Sequence, residues 1–152
     1  MLNRATTLED LLLDQALIYT IALLHKLPTS YITVRRHRYI NNIEIDAEIQ
    51  YGTKTVGLEL KLMRLGSCNE LRKALKQALL RRHYFDYFYI VLAEYDPDTC
   101  SIVTDNTVQH FFTCIVKHYD IYRLVRKCTQ NGVGIILNDN GTWKPIYKST
   151  KR

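Results

Sequence analysis

The sequence predicts an α/β protein in which helices flank a mixed sheet. Three observations lead to this fold class. Residues 43–63 alternate between apolar and polar side chains, as half-buried strands do. Residues 87–93 are apolar throughout, which is typical of a strand covered by helices on both faces. Residues 6–27, 65–84 and 105–130 instead repeat their apolar positions with the period of a helix.

Length and composition indicate a globular chain with a basic surface. The 152 residues are enough for one domain with a sizeable core, and we expect a single domain. A formal charge of +6 favours a polyanionic partner. The longest apolar run, residues 11–24, is interrupted by polar residues and is too short to span a bilayer, and no signal-peptide pattern opens the chain. We therefore expect an intracellular protein without a membrane-bound segment.

Four cysteines are spread widely along the chain: Cys68, Cys100, Cys114 and Cys128. They form no C-x-x-C pair and have no histidine pair at zinc-ligand spacing. The sequence therefore predicts free, buried thiols. A disulfide is the alternative if the source is a hyperthermophile, whose intracellular proteins can be rich in them.

The two alternating segments, 43–51 and 54–63, are joined by Gly52 and Thr53 and predict a β-hairpin. A two-residue loop that begins with glycine suits a type II′ turn, because glycine readily accepts the positive φ required there. Such a turn pairs Tyr51 with Lys54. It also places the apolar side chains of both strands on one face and the polar side chains on the other.

The predicted register brings two acidic residues together on the polar face. Counting back from the turn sets Asp46 opposite Glu59 and Glu44 opposite Lys61. Directly opposed side chains lie about 5 Å apart at Cβ. Two carboxylates at that distance repel each other unless a cation or a proton lies between them. The hairpin is therefore predicted to form half of a metal site, and the alternative is an amphipathic hairpin whose polar face meets water.

These residues resemble a known motif. Asp46, followed at a fixed gap by Glu59, Leu60 and Lys61, is similar to the signature of the PD-(D/E)xK nuclease superfamily, which includes restriction endonucleases, RecB-like exonucleases and archaeal Holliday-junction resolvases. The resemblance implies that Asp46, Glu59 and the Leu60 carbonyl bind Mg²⁺, with Mn²⁺ as a substitute, and that Lys61 positions or activates the attacking water. One position departs from the signature, because Ile45 and not proline precedes the aspartate.

The order of predicted elements agrees with the resemblance. Residues 6–94 read as helix, three strands, helix and strand, the αβββαβ core of a restriction-endonuclease-like fold. The family often adds an acidic residue from the first helix, for which Glu9, Asp10 and Asp14 are candidates. The alternative is that Glu9 completes a capping box with Thr6 and that the two aspartates are solvated. Glu44 and Glu48 are candidates for a second metal ion.

Basic residues on two elements are candidates for DNA contacts. Residues 31–40 predict a strand in which Arg35 and His37 share one face while Arg36 and Arg38 share the other. The arginines could clamp phosphates, or they could protect a solvated edge strand. The second helix, predicted to open with a capping box at Ser67 and Glu70, adds Lys76 and Arg81. On that helix the resemblance assigns Gln77 to the site wall, and the alternative is a solvated residue.

The C-terminal third is predicted to add a helix and two strands to this core. The wide apolar arc of residues 105–130 indicates a central helix or one that also packs on a partner, and the resemblance implies a homodimer, because cutting two strands needs two sites. His110 and His118 lack ligand spacing and are expected to be packing or solvated residues. Residues 133–137 and 142–147 predict strands around a turn, and the basic tail, residues 148–152, is expected to be mobile.

The function implied is metal-dependent hydrolysis of DNA. A structure-selective endonuclease such as a Holliday-junction resolvase fits a small chain without recognition modules, and a RecB-like nuclease is the nearest rival. The alternative is a non-catalytic nucleic-acid-binding module on the same fold. A mobile element or virus is a possible source of such a chain.

Overall fold

The computed structural model describes residues 8–151 and confirms the predicted α/β class. Within that range four α-helices surround one seven-stranded sheet. The helices are α1 (Gln15–His25), α2 (Asn69–Arg81), α3 (Thr107–Lys117) and α4 (Tyr119–Gln130). The strands are β1 (Ile32–Ile40), β2 (Ile43–Tyr51), β3 (Lys54–Arg64), β4 (Tyr87–Asp96), β5 (Ser101–Val103), β6 (Val133–Asp139) and β7 (Thr142–Tyr147). None of the helices in these residues is long and apolar enough to cross a membrane.

The sheet is mixed, with strand order β1-β2-β3-β4-β6-β7 and the short β5 paired to the end of β4. Strands β1, β2 and β3 form an antiparallel meander, whereas β3, β4 and β6 run parallel to one another. Parallel neighbours need a crossover connection. The connection from β3 to β4 contains α2, and the connection from β4 to β6 contains α3 and α4.

Each face of the sheet carries its own apolar core. Helices α2, α3 and α4 cover one face, where Leu75, Phe111 and Val125 pack against the sheet. The other face is covered by residues 8–13, which we call the N-terminal segment, and by α1. Leu17 and Ile21 of α1 are among the residues that pack there. Strand β4 supplies alternate residues to the two cores, and residues 88–94 are all buried. This burial on both sides confirms the interpretation of the apolar run at residues 87–93.

The hairpin forms with the predicted turn, and its register is as predicted as far as Ala47 and Leu58. Tyr51 pairs with Lys54, and Gly52 has a φ of 59°, the left-handed value that the first loop residue of a type II′ turn requires. Gly57 lies further along β3, where a Cβ atom would come within 2.4 Å of the Phe85 ring. A glycine is therefore needed at this point for the chain after α2 to pack directly on the strand.

Two predicted helices are each divided by the structure. The first does not run from 6 to 27, because Leu13 and Asp14 leave the helical conformation and Asp14 caps a new helix by accepting a hydrogen bond from Leu17 N–H at 2.8 Å. The predicted helix at 105–130 breaks at His118, whose backbone is extended. Each break ends one helical segment and begins another, so that the two segments on either side are separate elements. The predicted cap at Thr6 lies outside the described residues.

The start of α2 also differs from the prediction. The helix begins at Asn69 with Cys68 as its N-cap, and Glu70 accepts a hydrogen bond from Arg64 N–H at 3.0 Å instead of closing a capping box with Ser67. Cys68 is held by a disulfide to Cys114 on α3, with a sequence separation of 46 residues. The prediction of free thiols is therefore wrong for this pair and holds for the buried Cys128, while the free Cys100 is exposed.

The C-terminal tail is not mobile as predicted, at least as far as Thr150. Ser149 is buried, its hydroxyl donates to the Gly132 carbonyl at 2.6 Å, and its Oγ accepts from Phe88 N–H at 3.0 Å. Thr150 N–H also donates to the Gly132 carbonyl at 3.1 Å. These bonds tie the tail to the start of β4 and β6, because the tail satisfies backbone groups that the strands leave unpaired.

Candidate functional site

The acidic pair of the hairpin lies where its two strands separate. Backbone pairing between β2 and β3 ends at Ala47 and Leu58. At the next position the Leu60 N–H donates to Asp46 Oδ2 at 2.9 Å, and the carboxyl groups of Asp46 and Glu59 are close enough to act on each other's pKa. Two buried carboxylates that close repel each other when both are ionised. The pair therefore disfavours full ionisation.

A third acidic side chain reaches the same edge of β3 from the N-terminal segment. Glu9 Oε2 accepts a hydrogen bond from Leu62 N–H at 3.1 Å. Alternate residues of a strand direct their N–H groups to the same edge, so Leu60 and Leu62 both face the gap that β2 leaves open. At this edge the carboxylates of Asp46 and Glu9 accept the hydrogen bonds that the backbone of a paired strand would otherwise accept. We refer to Glu9, Asp46 and Glu59 as the acidic cluster.

Burial is the main reason that the acidic cluster resists ionisation. It raises the pKa of Glu59 to about 9, and the neighbouring charge and hydrogen bond of Asp46 add to the effect. Burial likewise raises the pKa of Asp46 and of Glu9. Lys61 opposes this rise at all three groups, and Arg81 opposes it at Glu59. The two cations do not compensate fully, so the acidic cluster favours a further proton or cation.

Lys61 and Arg81 are the basic side chains that act on the acidic cluster. Lys61 follows Glu59 by two positions on β3 and therefore shares its face of the strand. Arg81 comes from the last turn of α2, where its Nε donates to the Glu44 carbonyl at 2.8 Å. One turn earlier, the side-chain Oε1 of Gln77 is buried and accepts no hydrogen bond from any described residue. The end of α2 thus carries one cation that reaches the β2 backbone and one buried amide oxygen that has no hydrogen-bond partner among the described residues.

The β1 arginines do not follow the predicted alternation. Arg35 and Arg38 both contact Glu48, Arg35 at 3.9 Å, whereas the prediction set them on opposite faces. Arg36 instead donates to backbone carbonyls of the N-terminal segment, including that of Asp10 at 2.9 Å. His37 explains the difference, because its φ of 54° interrupts the extended chain and reverses the facing of the residues after it.

The same irregularity affects β2 beside the acidic cluster. His37 would pair with Asp46, and that pair is missing from an otherwise regular β1–β2 register. Ile45 packs in the core under α2 while Ala47 packs in the core under α1, so the alternation of β2 also shifts at Asp46. The prediction that Ile43, Ile45 and Ala47 share one face is wrong for this reason. The sequence offers one indication of this shift, which is His37 itself, because histidine adopts positive φ more readily than most residues.

The three acidic candidates of the N-terminal segment have different roles. Glu9 joins the acidic cluster, and Thr6, its predicted partner in a capping box, lies outside the described residues. Asp10 lies near β1, with its Oδ1 3.3 Å from His37 Nε2. Asp14 caps α1 and also accepts a hydrogen bond from Trp143 Nε1 at 2.9 Å. The prediction that both aspartates are merely solvated is therefore wrong.

Two further candidates lie away from the acidic cluster or are already paired. Glu48 is buried and held by the β1 arginines, so it is not a free ligand for a second ion. Lys76 lines a groove on the outer side of α2, beside α4. Of the predicted site residues, the structure therefore brings together Glu9, Asp46, Glu59 and Lys61, with Leu60 and Arg81 beside them.

A second group with metal-binding side chains consists of Cys68, His110 and Cys114. In residues 8–151 it is the sole set of three or more potential ligands whose ligand atoms all lie within 4.8 Å of one another. Its sulfur atoms are joined in the disulfide, and the His110 ring nitrogens bond Glu94 Oε2 at 2.9 Å and the Ser67 carbonyl at 2.7 Å. This group therefore crosslinks α2 to α3. The expectation that His110 is a packing residue is consistent with these contacts.

The acidic cluster is less compact than that group, as expected of carboxylates that repel each other. Its donor set consists of oxygen atoms, which hard cations such as Mg²⁺ prefer. The Leu60 carbonyl faces the same edge of β3 as the Leu60 N–H, because both groups of a strand residue point to one side. The residues present therefore fit a divalent cation. No model of a protein family and no curated protein sequence matches this chain.

Proposed function

We propose that this chain is a metal-dependent nuclease that hydrolyses DNA, with the acidic cluster as its active site and Mg²⁺ as its ion. One observation carries the proposal. Asp46 and Glu59 lie on neighbouring strands just beyond the last paired residues, burial raises the pKa of both, and the charge of Lys61 acts on both. Such a pair costs stability unless it binds something positive. A divalent cation bound by the pair would offset this cost, and such a cation can act as a Lewis acid on a phosphate.

The arrangement of elements supports a restriction-endonuclease-like core. Along the chain, the N-terminal helical segment is followed by β1, β2, β3, α2 and β4, an αβββαβ order. The first three strands are antiparallel and the fourth is parallel to the third. The motif that resembles the PD-(D/E)xK signature thus lies on β2 and β3, the two strands that form the hairpin.

A bound divalent ion supplies a Lewis acid for the phosphate oxygen and a water of lowered pKa. The chain's own groups do the remaining work. As carboxylates, Asp46 and Glu59 would hold the ion, together with Glu9 and the Leu60 carbonyl. Lys61 donates a hydrogen bond to the attacking water and offsets the charge that develops on the phosphate. Because Asp46 and Glu9 accept hydrogen bonds from the backbone of β3, their positions are set before substrate binds.

The basic residues have unequal parts in the proposed DNA contact. Arg36 donates a hydrogen bond to the Asp10 carbonyl in the N-terminal segment, and Arg38 forms an ion pair with the buried Glu48. Arg35 is the β1 residue suited to a phosphate, because about half of its side chain is exposed and its contact to Glu48 is 3.9 Å long. Arg81, which already acts on Glu59, is suited to a phosphate that enters the site.

The test is cleavage of labelled DNA by the full chain with Mg²⁺ or Mn²⁺. Linear duplex, single strand and a four-way junction are compared for the wild type, Asp46→Asn and Glu59→Gln. Asp98→Asn, which neutralises an exposed carboxyl in the turn after β4, is the matched control. We expect metal-dependent cutting that a chelator stops. It should fall at least about a hundredfold in both site variants, as for loss of a metal ligand, and persist in the control.

The substrate preference then separates the candidate activities. Junction cutting supports a resolvase, and cutting from single-strand ends supports a RecB-like nuclease. Binding without any cutting in either metal would replace the proposal with the non-catalytic nucleic-acid-binding module. Light scattering on the same samples tests the homodimer that the cutting of two strands would require.

A further inference from the structure

A groove of about 800 Å³ lies between α2 and α4, on the face of the sheet opposite α1. Its size is in the range of pockets that bind ligands. Basic and aromatic side chains dominate its lining: Lys76, Tyr119, Tyr122, Arg123, Arg126 and Lys127. The acidic cluster does not contribute to it. This groove is therefore a second surface of the molecule whose composition requires an explanation.

The charge of the groove is strongly positive. Four of its described lining residues are lysine or arginine, and Asp120 is the acidic one among them. The Asp120 carboxylate is already bonded to Arg72, with Nε 2.6 Å from Oδ2. A residue outside the groove thus neutralises its charge, and the four basic groups line the groove without an acidic partner inside it. Like charges gathered in this way are suited to a polyanion.

The tyrosines add flat apolar surface to that positive charge. Tyr119 is 72% exposed and Tyr122 is 39% exposed. Their rings are nearly parallel, with centroids 5.9 Å apart and 26° between their planes. The Arg126 guanidinium lies 5.8 Å from the Tyr122 centroid, which extends the flat surface with a planar cation. Exposed rings of this kind are typical of surfaces on which nucleobases stack.

We propose that this groove binds single-stranded nucleic acid. A single strand offers phosphates to the four cations and bases to the exposed tyrosine rings at the same time. A duplex offers only its phosphates, because its bases are stacked on one another. A second copy of this chain would bring an equally positive groove against the first, which opposes a symmetric contact here.

The proposal goes beyond cleavage and does not depend on it. Helix α2 nonetheless links the two surfaces, since it carries Lys76 in the groove and Arg81 beside Glu59. A strand held in the groove therefore lies along the helix that borders the acidic cluster. If the chain is a nuclease, the groove holds the unpaired part of a branched or end-processed substrate.

The test measures binding of a fluorescent oligothymidine of about 15 nucleotides by anisotropy. The full chain is used, and a chelator in the buffer removes divalent metal ions. Binding is then measured without cleavage, so the result does not depend on whether the chain is a nuclease. Tyr119→Ala removes the exposed ring, and its control Tyr31→Ala removes a ring that is 80% exposed elsewhere. The double variant Arg126→Gln with Lys127→Gln removes two charges. Its control is Lys26→Gln, at the end of α1 on the opposite face.

The two variants should differ in a way that a merely structural role would not produce. Tyr119→Ala should weaken binding roughly 5- to 100-fold with an unchanged salt dependence, as for loss of base stacking. The double variant should lower the slope of log K against log salt by about 1.4, or about 0.7 per charge. Both controls should bind within about twofold of the wild type, since exposed substitutions away from a site have small effects.

Three results would overturn the proposal. One is an equal loss of binding in the controls. Another is a duplex of the same length that binds as tightly as the single strand and depends on Tyr119 to the same extent. The third is a wild-type dimer that Tyr119→Ala converts to a monomer, by light scattering, with no change in oligonucleotide affinity. That last outcome would assign the groove to self-association.

Discussion

The substitution Glu59→Gln tests the central electrostatic argument without any substrate. Glu59 is 4% exposed and its pKa is raised to about 9 from the usual 4.5, with burial as the first cause. Glutamine keeps the shape of the side chain and a donor for the hydrogen bond to Asp46, and it carries no charge at any pH. The variant should therefore be more stable than the wild type at alkaline pH when no divalent metal is present.

The size of the effect follows from proton linkage. Below the usual value of 4.5 the carboxyl is protonated in both the folded and the unfolded chain, so it costs nothing. As the pH rises toward 9, the unfolded chain gives up this proton first, and the folded state loses relative stability. One proton is worth about 1.4 kcal/mol per pH unit. Between about pH 5 and pH 8 the wild type should lose up to about 4 kcal/mol relative to Glu59→Gln.

Thermal unfolding at several pH values measures this difference. For a chain of this size, about 4 kcal/mol corresponds to roughly 8 to 16 °C in Tm. The control Asp98→Asn removes an exposed charge and should follow the wild-type curve. Adding Mg²⁺ at about a hundred times its Kd should stabilise the wild type by about 2.7 kcal/mol. The same addition should stabilise Glu59→Gln much less, because a ligand is missing.

Parallel curves of Tm against pH for the wild type and Glu59→Gln would refute this reasoning. Such a result would mean that Glu59 is ionised in the folded protein without cost, and that the carboxyl pair has no need of a proton or a cation. A stabilisation by Mg²⁺ that is the same in the wild type and the variant would separately refute the assignment of Glu59 as a ligand.

Three further predictions concern the fold. Reducing the Cys68–Cys114 disulfide, or replacing Cys68 with Ser, should lower the free energy of unfolding by about 4 kcal/mol for a loop of this length, in denaturant titration; an unchanged midpoint would show that the crosslink adds nothing. Gly57→Ala should cost about 1 to 3 kcal/mol, because its Cβ would clash with the Phe85 ring, and a neutral result would mean that the ring moves freely. Arg82→Lys should lower Tm by several degrees, since Arg82 donates to four backbone carbonyls that lysine cannot satisfy together; a wild-type Tm would contradict this.

The hairpin could be predicted because its information is local. The alternation of residues 43–63 and the glycine of its turn select one register, since a slip by one residue would expose the whole apolar face. That register, continued past its last pair, Ala47 and Leu58, sets Asp46 opposite Glu59, and in the structure the two carboxyl groups act on each other's pKa. The apolar run of β4 was equally informative, because only a strand covered on both faces is apolar throughout.

Other features could not be predicted because their causes lie elsewhere in the chain. Helical periodicity continues through Asp14 and His118 and therefore hides the breaks that the structure has at both residues. The facing of the β1 arginines depends on one backbone angle at His37. Glu9 could not be separated from its acidic neighbours Asp10 and Asp14, because the Leu62 N–H that selects it is 53 residues away.

The sequence by itself determined the α/β class, the hairpin, its register and the approach of Asp46 to Glu59. These depend on side-chain periodicity and turn chemistry, which act over a few residues. Only the tertiary structure decided which third acid joins the pair, which arginines are already neutralised, and which cysteines are joined. Those outcomes depend on burial and on unpaired backbone groups, and both are set when distant segments pack against the same edge of a strand.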